Sequence, residues 1–247
     1  MSASPGGAPG FRRIGHKGAA DLVEGNTIAS FERAVEVGVD MIEFDVLRPH
    51  DGNPGLPAEG RSPLVVAHDH EDAASRPQLT LDAALDAFTR PPLDRVEIDC
   101  DLKLRGREDE LIAALRSHGL IERAMVSTMY EESLARVAAL EPRLRRGWTY
   151  PLVTRAWDRS TVAKPAVAAA LELMRRRFPR VARRRAPLIG ASAIWIFHRL
   201  ATPRLAAVTG ELGIELIAWT VDDAARIARL RAIGVDGIVS NDPRLLQ

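Results

Sequence analysis

Short apolar runs of strand length alternate with amphipathic stretches of helical period along most of the chain. Nine runs read as strands, near 11–15, 41–46, 64–68, 95–102, 124–128, 144–148, 191–197, 214–219 and 236–240. Between them apolar positions fall three and four apart. Ile28, Phe31 and Val35 share a helix face that Asn26 or Thr27 can cap and Gly38 can end. Residues 107–118 align Leu111, Ala114 and Leu115 and stop at Gly119, and residues 131–140 align Leu134 and Val137 ahead of Pro142. Residues 222–233 start at Asp222, align Ile227 with Leu230, and stop at Gly234.

One unit repeats: Gly38-Val-Asp-Met-Ile-Glu-Phe-Asp45 and Gly234-Val-Asp-Gly-Ile-Val-Ser-Asn241 each pair a helix-stopping glycine with a buried strand. Recurring β/α units need parallel strands joined by crossovers, so the expected fold is an α/β, (β/α)8 TIM barrel. Nine candidates for eight strands mean that one is short or lies outside the cylinder. Between residues 47 and 63, seven prolines and glycines exclude a helix. The barrel is therefore expected to be irregular, with one helix missing between its second and third strands. The stretch 149–190 has no clear strand and leaves room for one or two helices outside the barrel. Residues 1–10 read as a disordered tail and 11–247 as a single domain.

Alternation along three of these runs exposes the chemistry. In Met41-Ile-Glu-Phe-Asp-Val46, Glu43 and Asp45 point one way and Ile42, Phe44 and Val46 the other. Two carboxylates side by side are costly to bury unpaired, and a divalent cation is the usual remedy. Hard oxygen donors suit Mg²⁺ or Ca²⁺. In Val96-Glu-Ile-Asp-Cys-Asp-Leu-Lys103, residues Glu97, Asp99, Asp101 and Lys103 share a face, which fits a polar barrel lumen. Active sites of such barrels sit at the C-terminal ends of the strands. There Asp101 would complete a three-carboxylate metal site, and Lys103 would offer a positive charge to a substrate oxyanion. His16 and His68 each end an apolar run and supply what acid–base cleavage of a phosphate ester needs. Cys100 faces away from the carboxylates and reads as a small buried hydrophobe. Glu97 and Asp99 read as deeper lumen residues paired with Arg or Lys. His50, His70 and His118 read as surface or loop residues, His198 as equally a substrate contact or a structural group, and Trp148, Trp157 and Trp195 as packing residues.

Composition narrows the field further. Lys and Arg number 34 against 33 Asp and Glu, so global charge gives no reason to expect a nucleic-acid partner. A single cysteine excludes an intrachain disulfide, and no apolar run of about 18 residues is present to span a bilayer. A soluble, cytoplasmic protein is the expectation. The basic run between Met174 and Arg185 reads as a solvated outer helix rather than a lipid- or nucleic-acid-binding patch.

Taken in order, the motifs resemble those of the glycerophosphodiester phosphodiesterases, within the phospholipase-C-like barrel phosphodiesterases. They are His16-Lys17-Gly18, Gly25-Asn26-Thr27, Glu43-Phe44-Asp45, Asp51-Gly52 and His68-Asp69, then Asp101-Leu102-Lys103, Trp219-Thr220-Val221 and Gly234-Val235-Asp236-Gly237-Ile238. The resemblance spans residues 12 to about 243 and is weakest over 149–190. It implies hydrolysis of small-molecule glycerophosphodiesters to sn-glycerol 3-phosphate and an alcohol, with a divalent metal as cofactor. It further implies that His16 and His68 are the acid–base pair and that Glu43, Asp45 and Asp101 hold the metal. Lys17 and Lys103 would bind phosphate, and Trp219 would line the alcohol-side pocket. Three departures stand out. Lys17 replaces an arginine and loses its bidentate fork. Gly25 stands where the family has glutamate, and Asp101 is shorter than the usual glutamate. Two alternatives stay open: a phospholipase C- or D-like enzyme acting on lyso- or intact phospholipids, and an inactive barrel that binds phosphorylated ligands.

Overall fold

The computed structural model describes residues 10–48, 62–75, 77–152 and 164–247. Ten strands follow in chain order: β1 (Arg12–His16), β2 (Met41–Leu47), β3 (Val65–Val66), β4 (Leu79–Thr80), β5 (Glu97–Leu102), β6 (Ala124–Thr128), β7 (Arg145–Tyr150), β8 (Ala193–Phe197), β9 (Glu215–Trp219) and β10 (Gly237–Ser240). Eight of them pair in parallel in the order β1-β10-β9-β8-β7-β6-β5-β2, and β2 returns to β1, which closes an α/β barrel. Helices α1 (Ile28–Val37), α2 (His70–Ser75), α3 (Leu81–Ala87), α4 (Glu108–Ser117), α5 (Glu131–Leu140), α6 (Lys164–Arg185), α7 (Pro203–Leu212) and α8 (Ala224–Ile233) link them. Local chemistry sets the helix ends. Thr27 and Asp223 cap α1 and α8 through their side chains, and Gly38 and Gly234 end those helices in the left-handed conformation. Asp223, not Asp222, is thus the start of the last helix.

The surplus strand is the one near 64–68. The strand formed there, β3, runs antiparallel to the last two residues of β2, and β4 runs antiparallel to β3. A parallel partner needs a crossover that carries the chain back to the other end of the barrel. The helix-free stretch expected here falls almost entirely on residues 49–61, outside the described residues. Further on, α3 fills the helical position before β5, with Leu81, Ala84 and Leu85 buried against the outer core. Of the one or two helices that 149–190 has room for, the described residues hold α6.

Alternation sorts every barrel strand into an outward, apolar face and an inward face. Outside, Phe31, Phe44 and Phe88 pack with ring centroids 5.2–5.6 Å apart, among Ile42, Val46, Ile98, Cys100 and Leu102. Inside, the lumen has three levels. At the bottom Arg12 pairs with Glu97 and Glu215 at 2.5 Å each, and Arg145 reaches Glu97 at 2.6 Å. In the middle an apolar plug of Ile14, Met41, Met125, Trp195, Ile217 and Val239 closes the cylinder. Gly147 is what lets Trp195 cross it: a Cβ there would lie 2.5 Å from the indole Nε1. Above the plug, at the strand ends, the ionisable side chains gather.

Candidate active site

The turn after β1 is built before its side chains matter. Lys17 has φ 52° and Gly18 φ 89°, so the chain reverses through two left-handed residues. Only glycine fits the second, because a Cβ would come within 2.6 Å of Ser30 atoms. The strain at Lys17, about 1–2 kcal/mol, is held by the first turn of α1. Asn26 N–H and Ser30 Oγ both donate to the Lys17 carbonyl, and the Lys17 N–H donates to Glu43 Oε2 at 3.1 Å. Gly25 sits against Lys17. An added Cβ would lie 2.9 Å from Lys17 Cβ, so two of the three departures from the family pattern, Lys17 and Gly25, touch one another.

Strand register sets the carboxylates. His16 is level with Glu43, Glu43 with Asp99, and Asp45 with Asp101. Glu43, Asp45 and Asp101 are all buried, and each offers an oxygen within 4.8 Å of the others. Lys103 closes the cluster from above, its Nζ 2.8 Å from Asp45 Oδ1 and in contact with Asp101 Oδ2. Asn26, a possible cap and the middle of the Gly25-Asn26-Thr27 motif by sequence, clamps Asp45 twice. Its Nδ2 donates to Asp45 Oδ2 at 3.0 Å, and its Oδ1 accepts from the Asp45 N–H at 3.2 Å.

Burial and crowding divide the charges. Burial pushes Glu43 well above the ordinary carboxylate range, and Asp45, Asp101 and Asp99 add to the push. Burial would raise Asp45 too, but the charges of Lys103, His68 and His16 outweigh it, and its pKa falls. Asp101 is raised by burial, with Lys103 opposing. For Lys103 burial works against the ammonium, and the three carboxylates overcome it and raise its pKa well above normal. One lysine is thus left to balance three acids. Asp101 Oδ1 is buried without a hydrogen-bond partner among the described residues. An all-oxygen cluster with an unused buried lone pair fits a hard divalent cation.

The two histidines differ. His16, its side chain one-fifth exposed, places Nε2 3.9 Å from Glu43 Oε2 and Nδ1 2.6 Å from Asn241 Oδ1. Burial lowers its pKa to about 4, with Lys17 assisting and Asp45 resisting, so the ring is neutral near pH 7. His68 lies two residues past β3, half exposed at the rim, with Nδ1 3.1 Å from Asp69 Oδ2. Asp69 Oδ1 meanwhile accepts from the N–H groups of Glu71 and Asp72 at the start of α2. The charge of His68 bears on both Asp45 and Asp101, so it faces the same mouth. Trp219, at the end of β9, donates its indole N–H to the Trp195 carbonyl at 3.0 Å and tilts against Phe197.

The remaining candidates take structural places. Cys100 is buried in the outer core. Glu97 pairs with arginines as expected, whereas Asp99 accepts from Ser127 Oγ at 2.6 Å. A hydroxyl rather than a cation is its direct partner, and Lys103 and Arg145 act on it through their charges. Trp148 packs on Phe178 and Trp195 fills the lumen, as packing residues should. His118 is held by Asp82 and the Ala114 carbonyl. His198 is half-buried beyond β8, its pKa lowered to about 4 by burial and by Arg226 and Arg199. His50 and Trp157 lie outside the described residues. The basic run is the C-terminal half of α6. Arg176 and Arg185 there pair with Glu172 and Glu131, while Phe178 and Ala182 face inward. Among the described residues no helix is long and apolar enough to cross a membrane.

Known proteins share this fold. The profile of the glycerophosphoryl diester phosphodiesterase family matches residues 16–71 and 90–245. A glycerophosphodiester phosphodiesterase of Caldanaerobacter subterraneus subsp. tengcongensis is 27% identical over 266 residues, covering 94% of this chain and 95% of that protein. Among solved structures, a glycerophosphodiester phosphodiesterase from Parabacteroides distasonis superposes with a TM-score of 0.69 at 19% identity, covering 95% of this chain and 94% of the other. A phosphodiesterase of Oleispira antarctica, solved with the product sn-glycerol-3-phosphate, gives 0.65 at 18% identity, covering 94% and 93%. At such identities the superpositions speak for the barrel, and the profile match over both halves of it speaks for the lineage. The chain belongs to the glycerophosphoryl diester phosphodiesterase family and is a phosphodiesterase of that family.

Proposed function

We propose that this enzyme hydrolyses glycerophosphodiesters to sn-glycerol 3-phosphate and an alcohol, with His16 and His68 as its acid–base pair. A divalent cation, Mg²⁺ or Ca²⁺, would be held by Glu43, Asp45 and Asp101. The observation that carries this reading is the buried three-carboxylate cluster at the barrel mouth, level with His16. When bound there, a divalent cation supplies Lewis acidity to the phosphoryl group. The solved Oleispira relative holds sn-glycerol-3-phosphate, which favours the same product here.

The chain's own groups divide the remaining work. His16, neutral and with Nε2 turned toward the carboxylates, takes a proton from the attacking hydroxyl or water. His68, at the rim beyond β3 and braced by Asp69, returns a proton to the leaving alkoxide. Lys103 and Lys17 offset the negative charge of the phosphate, Lys17 as a point charge where arginine would grip two oxygens. The aromatic faces of Trp219 and Phe197 line the side where the alcohol departs. Glycerophosphocholine, glycerophosphoethanolamine and glycerophosphoglycerol, each incubated with the protein and Mg²⁺ or Ca²⁺, test the reading. Release of glycerol phosphate from at least one is expected, and none from any of them overturns it.

A further inference from the structure

His16 is tied to a second pair of residues that the family motifs leave without a role. Asn241 follows β10 directly, and Asp222 lies in the loop between β9 and α8. Asp222 Oδ1 accepts from the Asn241 backbone N–H and from Ser240 Oγ, both at 2.8 Å. Its Oδ2 accepts from Asn241 Nδ2 at 2.7 Å. Asn241 Oδ1 then stands 2.6 Å from His16 Nδ1. These contacts admit one assignment of hydrogens. A carboxylate only accepts, so Asn241 must turn its NH₂ toward Asp222 and its oxygen toward His16. An oxygen facing Nδ1 requires a hydrogen on Nδ1. In the neutral ring the lone pair is therefore on Nε2, the nitrogen that faces Glu43.

We propose that Asp222 and Asn241 are positioning residues that hold His16 as its Nδ1–H tautomer, leaving Nε2 as the proton acceptor. The acceptor role rests on the reading of His16 as a base given above; the tautomer does not. In the step itself the nucleophile's O–H bond breaks and its proton forms a bond to Nε2. The imidazolium so formed keeps its Nδ1–H on Asn241 Oδ1, so the relay carries no proton.

The charge pattern makes the test specific. Asp222→Asn can keep its oxygen on the Asn241 N–H and Ser240 Oγ, but it then turns an NH₂ toward Asn241. The amide of Asn241 must rotate, presenting its own NH₂ to His16 and forcing the Nε2–H tautomer. Adding Asn241→Asp restores an acceptor toward both neighbours and so restores Nδ1–H. Protein labelled with ¹⁵N-histidine reports the tautomer directly by NMR at neutral pH, with His16→Gln identifying the resonance. Nδ1–H is expected in the native protein, Nε2–H in Asp222→Asn, and Nδ1–H again in Asp222→Asn/Asn241→Asp. Turnover should fall by about a hundredfold in the single variant, the worth of a positioned base, and largely recover in the double. A native ring carrying Nε2–H overturns the proposal even where the variants do not fold. So does an Asp222→Asn variant that keeps Nδ1–H. If the tautomers switch and turnover does not, the relay stands and the role of His16 as base falls.

Discussion

Lys103 sits where two of its duties can be separated by one substitution. Its ammonium contacts Asp45 at 2.8 Å and also touches Asp101. At that distance the attraction to one carboxylate is about 6 kcal/mol gross with an effective dielectric near 20. Removing one member of a buried ion pair leaves about 3–5 kcal/mol uncompensated. A carboxylate left alone here takes up a proton, so the lower end applies, about 3 kcal/mol. For a chain of this length that lowers the thermal midpoint by about 6–12 °C. Lys103→Met should therefore be clearly less stable than the native protein in EDTA. A divalent cation replaces the missing charge, so saturating Mg²⁺ or Ca²⁺ should recover more than half of the deficit and should bind the variant more tightly. Turnover efficiency moves the other way, falling about tenfold to a hundredfold with one charged contact to phosphate lost. Thermal unfolding with and without metal, calorimetric metal titration and steady-state kinetics read all three. An unchanged midpoint in EDTA, or an equal metal-induced rise in both proteins, would refute the assignment of Lys103 as counter-charge to the metal site.

His16→Ala and His68→Ala should each lower kcat by at least about a hundredfold, and native-like turnover in either removes it from the acid–base pair. Stability should decline as the pH falls from 6.5 toward 4. His16 and His198, held near 4 in the folded protein, bind protons across that window only when unfolded. His198→Gln should flatten part of that slope in pH-dependent thermal melts, and an unaltered slope contradicts the burial of that ring as its source. Lys17→Met should raise KM with a smaller effect on kcat, and Gly25→Ala should do likewise, because its Cβ collides with Lys17 at 2.9 Å. Equal KM values would mean that the lysine points away from the phosphate.

Local pattern revealed what local pattern determines. Side-chain alternation put Glu43, Asp45, Asp101 and Lys103 on the lumen side, and the glycine stops of α1 and α8 lie where the periodicity ended. Partners drawn from distant segments were not legible. Nothing in the run 64–68 distinguishes an antiparallel excursion from a barrel strand, because the difference lies in the connection before it. Arg12 meets Glu215 across 203 residues of chain. Asn241 reaches His16 only because the last strand closes against the first. Its single signal was its place, directly after a buried strand and thus at the mouth of the barrel.

Glycerol phosphate release by chelated protein, titrated back with Mg²⁺ or Ca²⁺, tests the metal-assisted reaction most directly. It should be run on the native chain beside Glu43→Gln and Asp45→Asn. The native protein should be inactive in EDTA and regain turnover as the cation is restored, while each variant should need a higher metal concentration for half of its activity. Glycerophosphodiester hydrolysis that proceeds undiminished in EDTA would contradict the site.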